Sequence, residues 1–146
     1  MALVRVLIVD DFRQWQSFVI KQLAQYPDVS VVGLAADGLE AVFQAEELQP
    51  DLILLDVSLP HLDGIEAARR IRRFVPNAKI LFLSSSSDAD VVRDAFCAGG
   101  QGYVLKCDAG AALLSAVETV LLGKRFVSPS LADIDIASDS PEWGFE

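Results

Sequence analysis

Residues 52-LILLDVSLPHLDGIEAARRIRRF-74 hold an apolar run, an acid, a turn and an amphipathic stretch in immediate succession. The run 52-LILLD-56 is apolar up to its closing acid, so it reads as a strand covered on both faces, as in the interior of a parallel sheet. It ends on Asp56. The turn 57-VSLPHLDG-64 leads into a helix over 65–74, which Pro76-Asn77 stops. The same unit recurs on either side. Upstream, the run 4–9 (VRVLIV) precedes a helical stripe of Phe12, Trp15, Val19 and Leu23, and 29–35 (VSVVGLA) precedes a helix over 39–49 in the register Leu39, Val42, Phe43, Glu46. Downstream, 79-KILFLS-84 precedes a helix over 91–98, with Ser87 and Asp90 as its capping box. Then 103-YVLK-106 precedes a helix over 109–122, with Asp108 as N-cap and Gly123 just past its end. Five strand–helix units with apolar strands predict an α/β fold. Right-handed crossovers make it a doubly wound, five-stranded parallel sheet, flavodoxin-like in order 2-1-3-4-5, with helices on both faces.

At 146 residues, 52% hydrophobic, the chain has the size and composition of one globular domain. Residues 1–124 form that domain; 125–146, with five acids and no base after Arg125, read as an acidic tail or linker remnant. A net charge of −9 opposes binding to DNA or acidic membranes but suits a hard cation. The one basic cluster, Arg69, Arg70, Arg72 and Arg73, reads as a solvated helix face, so no direct nucleic-acid binding by this chain is expected. The cysteines, Cys97 and Cys107, have neither metal-ligand spacing nor partner histidines, and the apolar N-terminal run meets Asp10-Asp11 too soon for a signal peptide or a span. No membrane partner and a cytoplasmic location are expected.

In a sheet of this order, ligands sit beyond the carboxyl ends of the strands, where the order reverses. Strand ends therefore carry the chemistry: Asp10 and Asp11 on the first, Asp56 on the third, Ser84 on the fourth and Lys106 on the fifth. Three crowded carboxylates repel one another, and an all-oxygen set of this kind suits Mg²⁺. A carboxylate beside Mg²⁺ can attack phosphorus, with Lys106 as second cation and Ser84 as hydroxyl donor. Each residue also has a plainer reading: Asp10 or Asp11 as a helix cap, Asp56 or Ser84 as a turn residue, Lys106 as a solvated strand-end lysine. Those readings explain neither the doubled acid nor the third acid on the adjacent strand. A flavin-binding relative of the fold would need a first loop rich in Ser, Thr and Gly to cradle a phosphate. An aspartyl phosphatase would need D-x-D at the first strand's end; the adjacent Asp10-Asp11 supplies neither.

The segments 7-LIVDD-11, 52-LILLDVSLPHLDGIEAARRIR-72, 80-ILFLSS-85 and 102-GYVLK-106, in that order, resemble the bacterial two-component response-regulator receiver domain over roughly residues 3–123. The resemblance implies Asp56 as phospho-acceptor, Asp11 as direct Mg²⁺ ligand, Asp10 as a ligand through water and the Ser58 carbonyl as a further ligand. Lys106 would pair with the phosphoryl group. Ser84 and Tyr103 would form a switch pair, Tyr103 turning inward on phosphorylation, although a tyrosine suits a half-buried strand in any case. Pro60, Asp63 and Gly64 fit the family's turn after the acceptor.

The implied function is a phosphorylation-dependent signalling switch. A sensor histidine kinase would be donor, the chain would catalyse only its own phosphorylation and dephosphorylation, and the change would pass to an effector domain, a second copy or another protein. A degenerate receiver that only docks partners is the alternative, opposed by the complete set of site residues. Cys107 stands after Lys106 where many members have proline, often after a cis bond; a non-proline cis bond costs ~2.5–4 kcal/mol. Gly100 replaces a frequent alanine, so a looser loop before the fifth strand is expected. Residues 109–131 resemble the last receiver helix and exit of LuxR/NarL-type transcription regulators, in which a DNA-binding domain follows.

Overall fold

The structure is a computed structural model that describes residues 3–134 and 136. The elements are β1 (Val4–Val9), α1 (Arg13–Leu23), β2 (Val29–Ala35), α2 (Gly38–Leu48), β3 (Leu52–Leu55), α3 (Gly64–Phe74), β4 (Lys79–Ser84), α4 (Ala89–Cys97), β5 (Gly102–Leu105), α5 (Ala109–Leu121) and β6 (Phe126–Val127). All pairs are parallel, in order β2-β1-β3-β4-β5-β6. Alternate strand residues face opposite layers. Leu7, Val9, Ile53, Leu55, Ile80 and Phe82 pack with α2, α3 and α4, while Val6, Ile8, Leu52, Leu54, Leu81 and Leu83 pack with α1 and α5. Burial on both faces is why the strands carry no polar alternation. No helix among the described residues is long and apolar enough to cross a membrane.

The expected five strands become six. Phe126 and Val127 pair with Gly102 and Tyr103, so the start of the expected tail belongs to the sheet. Leu131 and Ile136 are buried in the layer that holds α4. Of the five acids of the expected tail, Asp133 is described and exposed, whereas Asp135, Asp139, Glu142 and Glu146 lie outside the described residues. What draws the exit onto the sheet is Ser128, which is fully buried. Its N–H donates to the Tyr103 carbonyl at 2.9 Å, its Oγ accepts from the Leu105 N–H at 3.3 Å, and its hydroxyl donates to Asp108 Oδ2. Ser130 donates to the same oxygen at 2.9 Å. Asp108 is thus committed to the exit segment and makes no side-chain cap for α5, contrary to the sequence reading. These hydroxyl donors hold its carboxyl below the usual range.

Ser128→Ala should leave the buried Leu105 N–H without its acceptor and cost about 1–3 kcal/mol. A thermal-unfolding midpoint unchanged from wild type would refute this account of the sixth strand.

Three local readings are corrected. Helix α1 starts at Arg13; Phe12 is its N-cap and is 58% exposed, so the buried stripe is Val19 and Leu23 with Trp15 half-buried. Helix α2 buries Gly38, Ala41 and Ala45 and exposes Leu39 and Phe43, because only small residues fit where it lies close to the sheet. Asp88, not the Ser87–Asp90 pair, caps α4 by accepting from the Asp90 and Val91 N–H groups. Gly123, at φ +85°, follows α5 as expected. Gly100 packs closely: a Cβ there would stand 2.7 Å from the Phe82 ring, and its N–H donates to the Ala95 carbonyl at 3.0 Å.

Candidate phosphoryl-transfer site

Each chemistry-bearing side chain leaves the sheet at its carboxyl edge. β1 ends at Val9 and delivers Asp10 and Asp11; β3 ends at Leu55 and delivers Asp56; β5 ends at Leu105 and delivers Lys106. Asp56 and Lys106 therefore stand one residue past their strands rather than within them. β1 and β3 are direct neighbours, with Val9 opposite Leu55, so the three acids meet. Asp10, Asp11 and Asp56 can each place a carboxylate oxygen within 4.8 Å of the others. Asp10 and Asp56 are buried and Asp11 is exposed, leaving one open side. An all-oxygen donor set of this spacing fits a hard divalent cation.

Lys106 enters this group from β5, its side chain only 7% exposed. Its Nζ lies 2.9 Å from Asp10 Oδ2 and 3.2 Å from Asp56 Oδ2. The Ser58 N–H donates to Asp56 Oδ1 at 3.3 Å, so both oxygens of Asp56 are oriented. Burial pushes the Asp56 carboxyl above the usual range, opposed by the Lys106 charge and reinforced by Asp10. Asp10 also accepts from the Phe12 N–H at 2.9 Å through Oδ1. This bond lies ahead of α1, whose N-cap Phe12 has no side-chain cap, so Asp10 braces the turn into the helix without capping it. The Lys106–Cys107 peptide is trans. Beside the acids, Asp11, Ser58, Pro60, Asp63, Arg69 and Asp94 line an open cleft of about 630 Å³.

Ser84, buried at the end of β4, accepts from the Ser86 N–H at 3.1 Å. Tyr103 is fully buried, not half-buried, and its hydroxyl donates to the Ser86 carbonyl at 2.8 Å. Burial raises its pKa, while the hydroxyl's hydrogen bonds with Ser84 and Ser86 lower it. Ser84 and Tyr103 thus meet through one loop, with Tyr103 already facing inward, where the sequence reading had it turn in on phosphorylation. The sequence reading missed the aromatic wall: Nζ of Lys106 stands 4.9 Å from the Trp15 ring centroid and 6.0 Å from that of Phe12. Two aromatics at a spacing of three, directly after the doubled acid, were the available signal.

The geometry has close counterparts. Residues 6–118 match the response regulator receiver domain. Response regulator GacA of Pseudomonas viridiflava is 33% identical over 130 residues, covering 89% of this chain and 61% of GacA. The chain thus spans about three fifths of that relative. A LuxR-family two-component response regulator from Aurantimonas sp. SI85-9A1 superposes with a TM-score of 0.86 at 35% identity, over 94% of this chain and 98% of that one. The isolated REC domain of RcsB from Salmonella enterica serovar Typhimurium, solved with the phosphomimetic BeF3⁻, has a TM-score of 0.84 at 26% identity, over 90% and 98%. With residues 6–118 matched to the family's domain and its fold shared over most of the chain, this chain belongs to the response regulator receiver domain family.

Proposed function

We propose that the chain is a phosphorylation switch in which Asp56 accepts a phosphoryl group from a sensor histidine kinase. The observation that carries this reading is the buried Lys106 ammonium held between Asp10 and Asp56, with Asp11 at the open side. A carboxylate oxygen of Asp56 attacks phosphorus and forms a P–O bond. The P–N bond to the donor imidazole breaks, its electron pair leaving on nitrogen. The Ser58 N–H and Lys106 hold the Asp56 carboxylate in one orientation, and positioning is most of what phosphoryl transfer requires. Asp10, Asp11, Asp56 and the Ser58 carbonyl would hold Mg²⁺, which neutralises charge on the transferring oxygens. The chain acts only on its own acyl phosphate, in both formation and hydrolysis.

Ser84 then turns toward the phosphoryl oxygens and carries the Ser86 carbonyl, and with it Tyr103, into a second arrangement, a population shift of a few kcal/mol at most. The output passes to an effector domain, a second copy or another protein. The charge of −9 keeps the chain itself from direct nucleic-acid contact.

The test is incubation with acetyl phosphate and Mg²⁺, read by intact mass. One phosphoryl group should add, should be lost to hydroxylamine, and should not add when the cation is chelated. Failure to label, or labelling that resists hydroxylamine, would overturn the reading.

A further inference from the structure

We infer that Trp15, seconded by Phe12, is a positioning residue that holds the Lys106 ammonium at Asp56 through its aromatic face; the inference deepens the phosphoryl-transfer reading and rests on it for its functional consequence. Lys106 has two kinds of neighbour. Two are carboxylates, Asp10 at 2.9 Å and Asp56 at 3.2 Å. The others are the Trp15 and Phe12 rings, whose centroids lie 4.9 and 6.0 Å from Nζ. An ammonium has three N–H donors; one donates to Asp56 Oδ2, and the Asp10 contact is an ion pair. The rings add a π surface within reach of the ammonium, and their quadrupole attracts a cation.

Trp15 is itself held. Its ring meets Phe18 edge-on, with centroids 5.3 Å apart at 77°. The first turn of α1 is fastened to the sheet edge by Gln16, whose Nε2 donates to the Asp10 carbonyl at 2.8 Å and weakly to Ala35 at 3.4 Å. The ring therefore acts as a fixed surface rather than a flexible cover.

The reason for an aromatic here follows from competition among the acids. Asp10 belongs both to the acid cluster and to the Lys106 pair. A divalent cation drawn to the cluster engages Asp10 and repels the ammonium, so the shortest contact of Lys106 weakens when it is needed most. A neutral ring offers an attraction that no cation can take away and adds no charge to the site. An aliphatic residue at position 15 would fill the same space against Phe18 and the α1–α5 layer without that attraction. This separates positioning from packing.

The experiment compares Trp15→Leu and Trp15→Phe in the wild-type and Lys106→Met backgrounds. Beryllofluoride binding with Mg²⁺ is followed by fluorine NMR, Mg²⁺ binding is titrated alone, and the Lys106 side-chain signals are recorded in the metal-free protein. Trp15→Leu should weaken beryllofluoride binding about five- to tenfold, leave Mg²⁺ affinity unchanged, and move the Lys106 signals downfield by removing the ring current. Trp15→Phe should restore most of the affinity. In the Lys106→Met background Trp15→Leu should have no further effect. Equal losses in both backgrounds, a parallel loss of Mg²⁺ affinity, or no rescue by phenylalanine would reduce Trp15 to packing and overturn the inference. Should wild type bind no beryllofluoride, the site reading falls. The metal-free Lys106 signals still decide the positioning, and signals unmoved by Trp15→Leu would refute it.

Discussion

Asp56→Asn should abolish phosphoryl uptake altogether and, in the metal-free protein, should make the fold more stable than wild type by a margin that grows with pH. The first effect follows because a neutral amide offers no nucleophilic carboxylate, while Lys106 keeps its contact with Asp10 and the site stays assembled. The second follows from the direction of the Asp56 shift. Burial and Asp10 together raise its pKa against the pull of Lys106. A carboxyl whose folded pKa is raised stabilises the fold fully below the ordinary carboxylate range. That contribution is lost as pH rises through the raised value. Asparagine never ionises, so its advantage should be small near about pH 4 and larger at about pH 7. A divalent cation held by the three acids would favour the ionised carboxyl, so added Mg²⁺ should narrow the gap. Intact mass after acetyl phosphate treatment checks the first effect, and thermal midpoints across pH, with and without Mg²⁺, check the second. Each 1 kcal/mol would move the midpoint by roughly 2–4 °C. Labelling of Asp56→Asn at the wild-type level would remove Asp56 as acceptor. A midpoint difference that shrinks with rising pH would contradict the assigned direction.

The strands and their acids were legible because both depend on local sequence. Runs such as 52-LILL-55 and 80-ILFL-83 are apolar because both sheet faces are covered, and the acids sit where the runs end. What escaped depends on partners far along the chain. Nothing in Phe126–Val127 marks a strand, since two residues carry no period; Ser128, 23 positions from Leu105, draws them in. Asp108 has the composition of an N-cap, but Ser128 and Ser130 take its carboxylate. In α2 the sequence register puts the large residues Leu39 and Phe43 on the core face, yet close packing selects Ala41 and Ala45 and leaves Phe43 outside. Trp15 was read as core because a helix stripe does not say that its upper end reaches a lysine 91 positions later.

Gly64→Ala should damage stability and chemistry together, through a contact the sequence marks only as a turn glycine. Gly64 opens α3, its N–H donates to the Val57 carbonyl at 2.7 Å, and Asp63 caps the same turn by accepting from the Glu66 N–H at 2.9 Å. The helix therefore starts backbone against backbone on the exit of β3. A Cβ at position 64 would fall 1.9 Å from the Asp56 carbonyl oxygen and 2.9 Å from Val57 Cα. These are main-chain atoms, so no rotamer change relieves the clash. Either α3 lifts or the Asp56 peptide moves. Alanine gains about 1 kcal/mol of helix propensity, whereas overpacking of this kind costs typically ~1–3 kcal/mol and at times more, so the net effect is destabilising. A displacement of about 1 Å at the acceptor can slow transfer on the order of 100-fold. Gly110→Ala, in α5 with nothing within 4 Å of the added Cβ, is the matched control and should hold or raise the midpoint. Thermal unfolding and initial rates of acetyl phosphate labelling, measured on both variants, distinguish the cases. A Gly64→Ala protein as stable and as fast as Gly110→Ala would show that α3 can give way, and that the close backbone approach does not set the position of Asp56.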